Sequence, residues 1–504
     1  MKTNKTRGVS RRSVAGFGAA ALALALSIGS RAARAETPSV APLPGKPFLI
    51  LGAFDGPKLG YAMEEFSVSG NATSYKLNGE PGLDGRWDVA AAGTAPYTTR
   101  IVVVRPSDPK AFNGTVIVEW LNVSGGLDVP VEWVTTHREL TRSGFAYVAV
   151  SAQVVGVEGG PGLTPGPGAP LKKVDPARYG KLSHPGDAFS YDIFSDVGRL
   201  IRSPGASGIL GPLKPRRVIA VGESQSAIYL TTYVNAVDPV AKVYDGFLIH
   251  SRFGVSPLFD GADARNGPAG WPSPVKFRDD LRAPVLTVIT QTDLLGTPTA
   301  KGYFGARQPA GPHLRVWEIA GTAHADNYLF SVGMIDSGAA PIDALAQAYA
   351  PTLNFRGMKL TEAINAAPQH HYVTEAALAS LDRWVRTGRA PPKGQLLKVQ
   401  PGDQPSFALD NEGDALGGVR SPWVDVPTAR YSGARTTGPA GTELVGSTVP
   451  FDKARLARLY PGGRSEYLRK FEASLSSVIA AGFILAADRQ EILDLARASY
   501  QGPG

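Results

Sequence analysis

The sequence predicts an α/β fold: a mostly parallel central sheet flanked by helices, with long lid-like insertions and a C-terminal extension. Two observations carry this. Short apolar runs rich in β-branched residues alternate with stretches of helical period between about 115 and 390. That alternation then stops at Pro391-Pro392, and residues 391–504 read as short strands followed by helix, an extension packed on the core. Composition sets the outer bounds. Of 504 residues, 43% are apolar and 19% charged, which excludes a disordered or collagen-like chain despite 58 Gly and 41 Pro. The absence of cysteine excludes a disulfide scaffold.

Residues 1–35 read as an export signal. Lys2 to Arg12 is a basic n-region, 14–28 an Ala/Leu-rich h-region, and Ala33-Arg34-Ala35 an A-x-A cleavage site. Ser10-Arg11-Arg12 followed by Ser13-Val14 fits a twin-arginine signal, with an ordinary Sec signal as the alternative. The expected destination is the periplasm or the outside. The charge agrees: seven basic residues and no acidic ones lie in this segment, leaving only +1 of the formal +8 for the rest. A near-neutral mature chain offers no electrostatic case for nucleic acid. No later run of about 18 apolar residues suggests a stable membrane anchor.

In order, 47–104 predicts short strands separated by Gly, Asn and Pro turns, such as 64–68 and 99–104. Buried strands are then expected at 115–120 (TVIVEW), 146–150 (AYVAV), 217–221 (RVIAV), 246–249 (GFLI), 284–289 (PVLTVI) and 314–319 (LRVWEI). Helices are expected at 131–143, 191–201, 226–236 and 374–387, with Asp238-Pro239 stopping the third. The α/β domain thus covers 36–390, with insertions near 156–190, 253–280 and 327–370. Connections this long are usually functional, as lids or binding loops.

The chemistry falls at strand ends. Directly after the strand at 217–221 comes Gly222-Glu223-Ser224-Gln225-Ser226 and then a helix, close to the G-x-S-x-G nucleophile elbow. Small residues two before and two after Ser224 let strand and helix approach closely. The Gln225 amide, at the helix start, is placed to receive a developing oxyanion. After the strand at 314–319 the run Ala320-Gly321-Thr322-Ala323-His324-Ala325-Asp326 supplies a histidine in a loop downstream of the serine. Asn122-Val123-Ser124-Gly125-Gly126, after the strand at 115–120, is a candidate for the second oxyanion amide, assigned to Ser124 within the 123–125 loop. For the orienting acid, Asp293 follows the strand at 284–289 and precedes His324, giving the order Ser…Asp…His; Glu318 and Asp326 compete. His184 and His250 read as satisfied buried histidines that could line a pocket, and His370-His371 as ordinary loop or helix-start residues. Neither a dinucleotide fingerprint, a phosphate-binding loop nor a zinc spacing is present, so no cofactor or metal is expected.

The runs VIAVGESQSA, EIAGTAHAD and VEWLNVSGG, with GGVRSPWVDVP at 417–427, resemble the exported bacterial proteins of the alpha/beta hydrolase domain group. The resemblance covers nearly all of the chain beyond the signal. It implies an α/β-hydrolase fold and a serine hydrolase acting on carboxylic esters, small-molecule or polymeric; it settles neither the substrate nor the oligomeric state. A cofactorless lyase using the same Ser224 and His324 for proton transfer is the alternative, because fold alone does not fix function.

Overall fold

The expected buried runs form strands because they are apolar on both faces, so helices must cover the sheet on both sides. The computed structural model describes residues 37–160, 168–203, 208–261, 270–400, 402, 405–435, 438–439 and 441–503. The predicted export signal lies outside the described residues. Nine strands make one sheet: β1 (Ser39–Pro42), β2 (Tyr61–Leu77), β3 (Val89–Pro106), β4 (Thr115–Trp120), β5 (Ala146–Val150), β6 (Arg217–Glu223), β7 (Gly246–His250), β8 (Val285–Ile289) and β9 (Leu314–Glu318). Their order is β1-β2-β3-β5-β4-β6-β7-β8-β9. From β5 to β9 every neighbour is parallel, in register Val116↔Ala146, Val116↔Val218, Val221↔Leu248, Leu248↔Leu286 and Val316↔Thr287. These six are the six strands expected from the sequence.

The leading segment departs from expectation. In place of short strands, β2 and β3 are 17 and 18 residues long and pair antiparallel along their whole length, through a bulge at Ser74/Tyr75. Gly70, Asn71 and Pro96, which read as turn residues, lie inside this hairpin, with Asn71 paired to Pro96. Pro96 is tolerated there because β3 meets β5 only over Ile101–Val104, so its missing N–H falls beyond the doubly paired stretch.

The flanking helices include α1 (Val131–Arg142), α2 (Ser190–Arg202), α3 (Gln225–Thr232), the short α4 (Gln291–Leu295) and α5 (Gln369–Thr387). Two helix limits are corrected. The chain does not stop after α3: it widens into a π-helical turn at Tyr233–Val237 and a further helical turn at Asp238–Ala241, where Pro239 occupies a first-turn position that needs no N–H. α5 begins five residues before the expected start, behind Pro368, and buries His370, His371, Tyr372 and Val373 as well as Ala377, Leu378, Leu381 and Trp384. The C-terminal helices α6 (Gly463–Ala481) and α7 (Arg489–Ser499) contribute Phe471, Leu475, Ile492 and Leu495 to the same buried cluster as Trp317 and Trp384. Residues 37–504 accordingly form one compact unit. No helix among the described residues is long and apolar enough to cross a membrane.

Candidate active site

β6 ends in a turn so sharp that Ser224, a non-glycine residue, holds φ 57° and ψ −118°. Such a backbone costs on the order of 1–3 kcal/mol and persists only where the surroundings over-determine it. Here they do. The Ser224 amide donates to the His250 carbonyl at 2.9 Å, and its own carbonyl accepts from the Ile228 amide at 3.1 Å as α3 begins. The glycine two residues earlier makes the turn possible: a Cβ on Gly222 would stand 2.9 Å from Leu230 Cδ1 and 3.0 Å from Ser226 Cβ. Gly222→Ala should therefore lower unfolding stability by about 1–3 kcal/mol, read from denaturant or thermal unfolding. An unchanged midpoint would show that strand and helix have room to part.

His324 stands in the turn after β9, and three segments fix it. Its amide donates to Thr292 Oγ1 at 3.1 Å, and the next residue's amide donates to the Leu444 carbonyl at 3.0 Å. Asn365 Nδ2 holds the same loop through the Gly321 carbonyl at 3.0 Å. The imidazole Nδ1 meets Asp293 Oδ1 at 2.6 Å. Asp293 is not in an open loop, as expected, but is the third residue of α4, where it forms a capping box with Thr290. Its Oδ2 accepts from the Thr290 amide at 2.8 Å and the Thr290 hydroxyl at 2.7 Å. The carboxylate is fully buried. Burial pushes this acid up, but the His324 imidazole and the Thr290 donors outweigh it and hold Asp293 below the usual carboxylate range. The Phe253 ring covers the imidazole, centroids 5.0 Å apart.

The two competing acids are engaged elsewhere. Glu318 is gripped by Arg307 through Nε at 2.7 Å and Nη2 at 2.5 Å, and accepts from the Leu397 amide at 2.8 Å. Asp326 meets His370 Nδ1 at 2.9 Å. The structure thus brings Asp293 and His324 together, on the strand-tip side where Ser224 sits.

Of the two amides expected to face an oxyanion, one is unengaged and the other is already taken. Gln225 is the first residue of α3, and its amide has no acceptor among the described residues. The Ser124 amide, in contrast, donates to Asn122 Oδ1 at 2.8 Å, closing a local turn that sequence alone did not show. Ser124 contributes through its hydroxyl, which donates to Gln225 Oε1 at 3.1 Å and ties the two loops together. Within the same loop the Val123 amide has no acceptor among the described residues.

Several residues here escaped sequence reasoning. Glu223, just before the serine, places Oε1 3.5 Å from His324 Nε2, while Asn122 Nδ2 donates to its Oε2 at 3.2 Å. Burial, and then Asp293, Glu132 and Glu119, push the Glu223 acid well above its ordinary range. His370 stands at the start of α5, one of its two expected places, but is buried there and meets His250 Nε2 to Nε2 at 2.8 Å. Glu119 had one visible signal, a carboxylate inside the all-buried strand TVIVEW. It accepts from the Glu132 and Trp133 amides at 2.9 and 3.0 Å, satisfying the first turn of α1. His184 is a satisfied buried histidine, as the sequence suggested, held by the Ala152 carbonyl just after β5 and by the Gly186 amide. No group of three His, Asp or Glu among the described residues is arranged to hold a metal ion.

Comparison with solved structures returns likenesses to esterases at low identity. Esterase Est22 is 13% identical over 47% of this chain and 65% of its own, with a TM-score of 0.26. This chain therefore spans slightly less than two thirds of Est22. The Pyrococcus furiosus esterase Pf2001 is 10% identical over 54% of this chain and 87% of its own, with a TM-score of 0.27. One of the fungal esterases from Rhizomucor miehei is 11% identical over 63% and 85%, with a TM-score of 0.28. No curated protein sequence matches. A family match does extend across nearly the whole chain: residues 31–494 fit the alpha/beta hydrolase domain family, and the protein belongs to it.

Proposed function

We propose that this α/β-hydrolase is a serine esterase that cleaves carboxylic esters through an acyl-enzyme. The observation that carries the reading is the buried 2.6 Å pair of Asp293 and His324, delivered to the strand tips that also hold Ser224 on a strained elbow. In this reading Ser224 Oγ attacks the ester carbonyl as His324 Nε2 takes its proton. Asp293 holds the imidazole in the tautomer that leaves Nε2 free and stabilises the imidazolium that forms. The amides of Gln225 and Val123 receive the oxyanion, each such donor being worth roughly 2.7–4 kcal/mol in the transition state. His324 then protonates the leaving alcohol, and water repeats the sequence to release the acid. The same reading takes the 1–35 segment as an export signal, cleaved after Ala35, with the periplasm or the outside as the destination.

A covalent probe tests the central step. An aryl phosphonate should add its phosphonyl mass to the protein at Ser224, and an activated ester should give a burst of one alcohol equivalent per site. Labelling elsewhere, or none, overturns the nucleophile. Labelling without a burst points to proton-transfer chemistry of the lyase kind.

A further inference from the structure

Behind the catalytic histidine runs a buried chain of four titratable side chains that the ester mechanism does not use. Glu132 Oε1 meets His250 Nδ1 at 3.0 Å, His250 Nε2 meets His370 Nε2 at 2.8 Å, and His370 Nδ1 meets Asp326 Oδ2 at 2.9 Å. The four come from α1, the end of β7, the start of α5 and the turn after β9, and none exceeds 6% exposure. Three of them, His250, His370 and Asp326, line a small cavity with Glu223 and His324, roomy enough for about one water.

Proton counting shows what such a chain can do. Each of its three hydrogen bonds needs one proton, so the chain holds three protons whatever their positions. Four groups with three protons between them carry one net negative charge. In one arrangement the Glu132 O–H donates to His250 Nδ1, His250 Nε2–H to His370 Nε2, and His370 Nδ1–H to an anionic Asp326. If each proton crosses its own bond, the Glu132 O–H, His250 Nε2–H and His370 Nδ1–H bonds break. The His250 Nδ1–H, His370 Nε2–H and Asp326 O–H bonds form. The charge then sits on Glu132. Nothing is gained or lost, and no solvent proton is needed.

We propose that Glu132, His250, His370 and Asp326 form a proton relay that keeps one mobile negative charge beside His324 and thereby helps that histidine carry the Ser224 proton. The proposal rests on the esterase reading of Ser224 and His324. Asp326 lies two residues from His324 and lines the same cavity, so a charge held there favours the imidazolium. Burial pushes the Glu132 acid up to about 8, against His370, which favours the arrangement with the proton on Glu132. Other titratable groups face the site from every side: Glu223 from β6, Asp293 from α4, Glu119 from β4 and His371 from α5. Burial pushes the Glu223 acid well above its ordinary range, which disfavours a second charge at Nε2. His371, pushed well below its ordinary value by burial, stays neutral. These four are positioning residues; none of them touches the reacting atoms.

The pH profile of ester turnover separates this role from a structural one. Asp326→Asn keeps an acceptor for His370 Nδ1 but removes the charge, so an imidazolium at His324 loses support. The acid limb of kcat/KM should move down by about one pH unit, with kcat about tenfold lower and KM within about twofold. A folded Asp326→Asn protein with an unmoved acid limb overturns the relay, whatever its thermal stability. The wild-type protein provides a readout independent of variant folding. In imidazole nitrogen spectra, the His250 and His370 signals should shift as His324 titrates, and signals static through that titration overturn the proposal. Absence of any Ser224-dependent ester turnover would instead sink the esterase reading, and is told apart because the spectra need no substrate.

Discussion

Ser224→Ala should reduce ester turnover by about 10⁶ in kcat, to the level left by binding and the oxyanion amides alone. The size follows from the chemistry: without Oγ there is no acyl-enzyme, and His324 has no nucleophile to activate. The fold should survive. Replacing a hydroxyl by hydrogen changes little volume, and what holds the elbow is backbone, the 2.9 Å bond from the Ser224 amide to the His250 carbonyl together with the close approach at Gly222. Alanine also pays the same cost as serine for the positive φ. Initial rates on a panel of aryl and alkyl esters, with unfolding followed in parallel, check both halves. Turnover within a hundredfold of wild type in the substituted protein would remove Ser224 from the mechanism. Lost turnover with a collapsed melting transition would show that the elbow depends on the hydroxyl.

What could be read from sequence divides along physical lines. The six parallel strands were legible because burial on both faces demands continuous apolar runs, and TVIVEW or AYVAV can be little else. The positions of Ser224 and His324 were legible because both directly follow recognisable strands, and an open α/β sheet presents such residues beyond the carboxyl ends of its strands. The long β2–β3 hairpin was hidden because Gly70, Asn71 and Pro96 are turn residues by local chemistry. Only the lack of a strand partner beyond Ile101–Val104 lets proline sit there. The Ser124 amide was misassigned because the local turn made by the Asn122 side chain depends on a rotamer, not on residue type. The Glu132–His250–His370–Asp326 chain was out of reach for another reason. Its members are 44 to 120 positions apart along each link, and nothing local to any of them announces the others.

The C-terminal segment illustrates the same limit at the scale of a domain. As sequence it is an extension after the last helix of the α/β domain. In the structure it reaches the loops that carry Asp293 and His324 directly. The Gly433 carbonyl accepts at 2.6 Å from Thr292 Oγ1, the atom that holds the His324 amide, and the Gly433 amide donates at 2.7 Å to Oε1 of Gln291, the preceding residue. A Cβ on Gly433 would lie 2.4 Å from the Thr322 carbonyl oxygen, so the two segments touch backbone to backbone. The acid and histidine loops are therefore braced by chain that lies more than a hundred residues downstream.

That bracing bears on the second large effect, Asp293→Asn. The amide is nearly isosteric, and its oxygen can still accept from Thr290, so the capping box and α4 should persist. The contact with His324 is what changes. A carboxylate accepts from Nδ1–H and leaves Nε2 with its lone pair toward the serine. An amide can present its NH₂ to Nδ1, favouring the tautomer with the proton on Nε2, which cannot act as base. The expected loss is about 10⁴ in kcat, with little change in KM. Glu318→Gln should leave kcat within about tenfold, because Glu318 is spent on Arg307 and the Leu397 amide, and its cost should fall on stability. Asp326→Asn should cost about tenfold, since it acts on His324 only through charge. The three substitutions, compared by kcat on one ester with folding verified by circular dichroism, rank the acids without reference to any other protein. If Asp293→Asn costs less than about tenfold while either of the others costs orders of magnitude more, the 2.6 Å contact is not the one that orients the base.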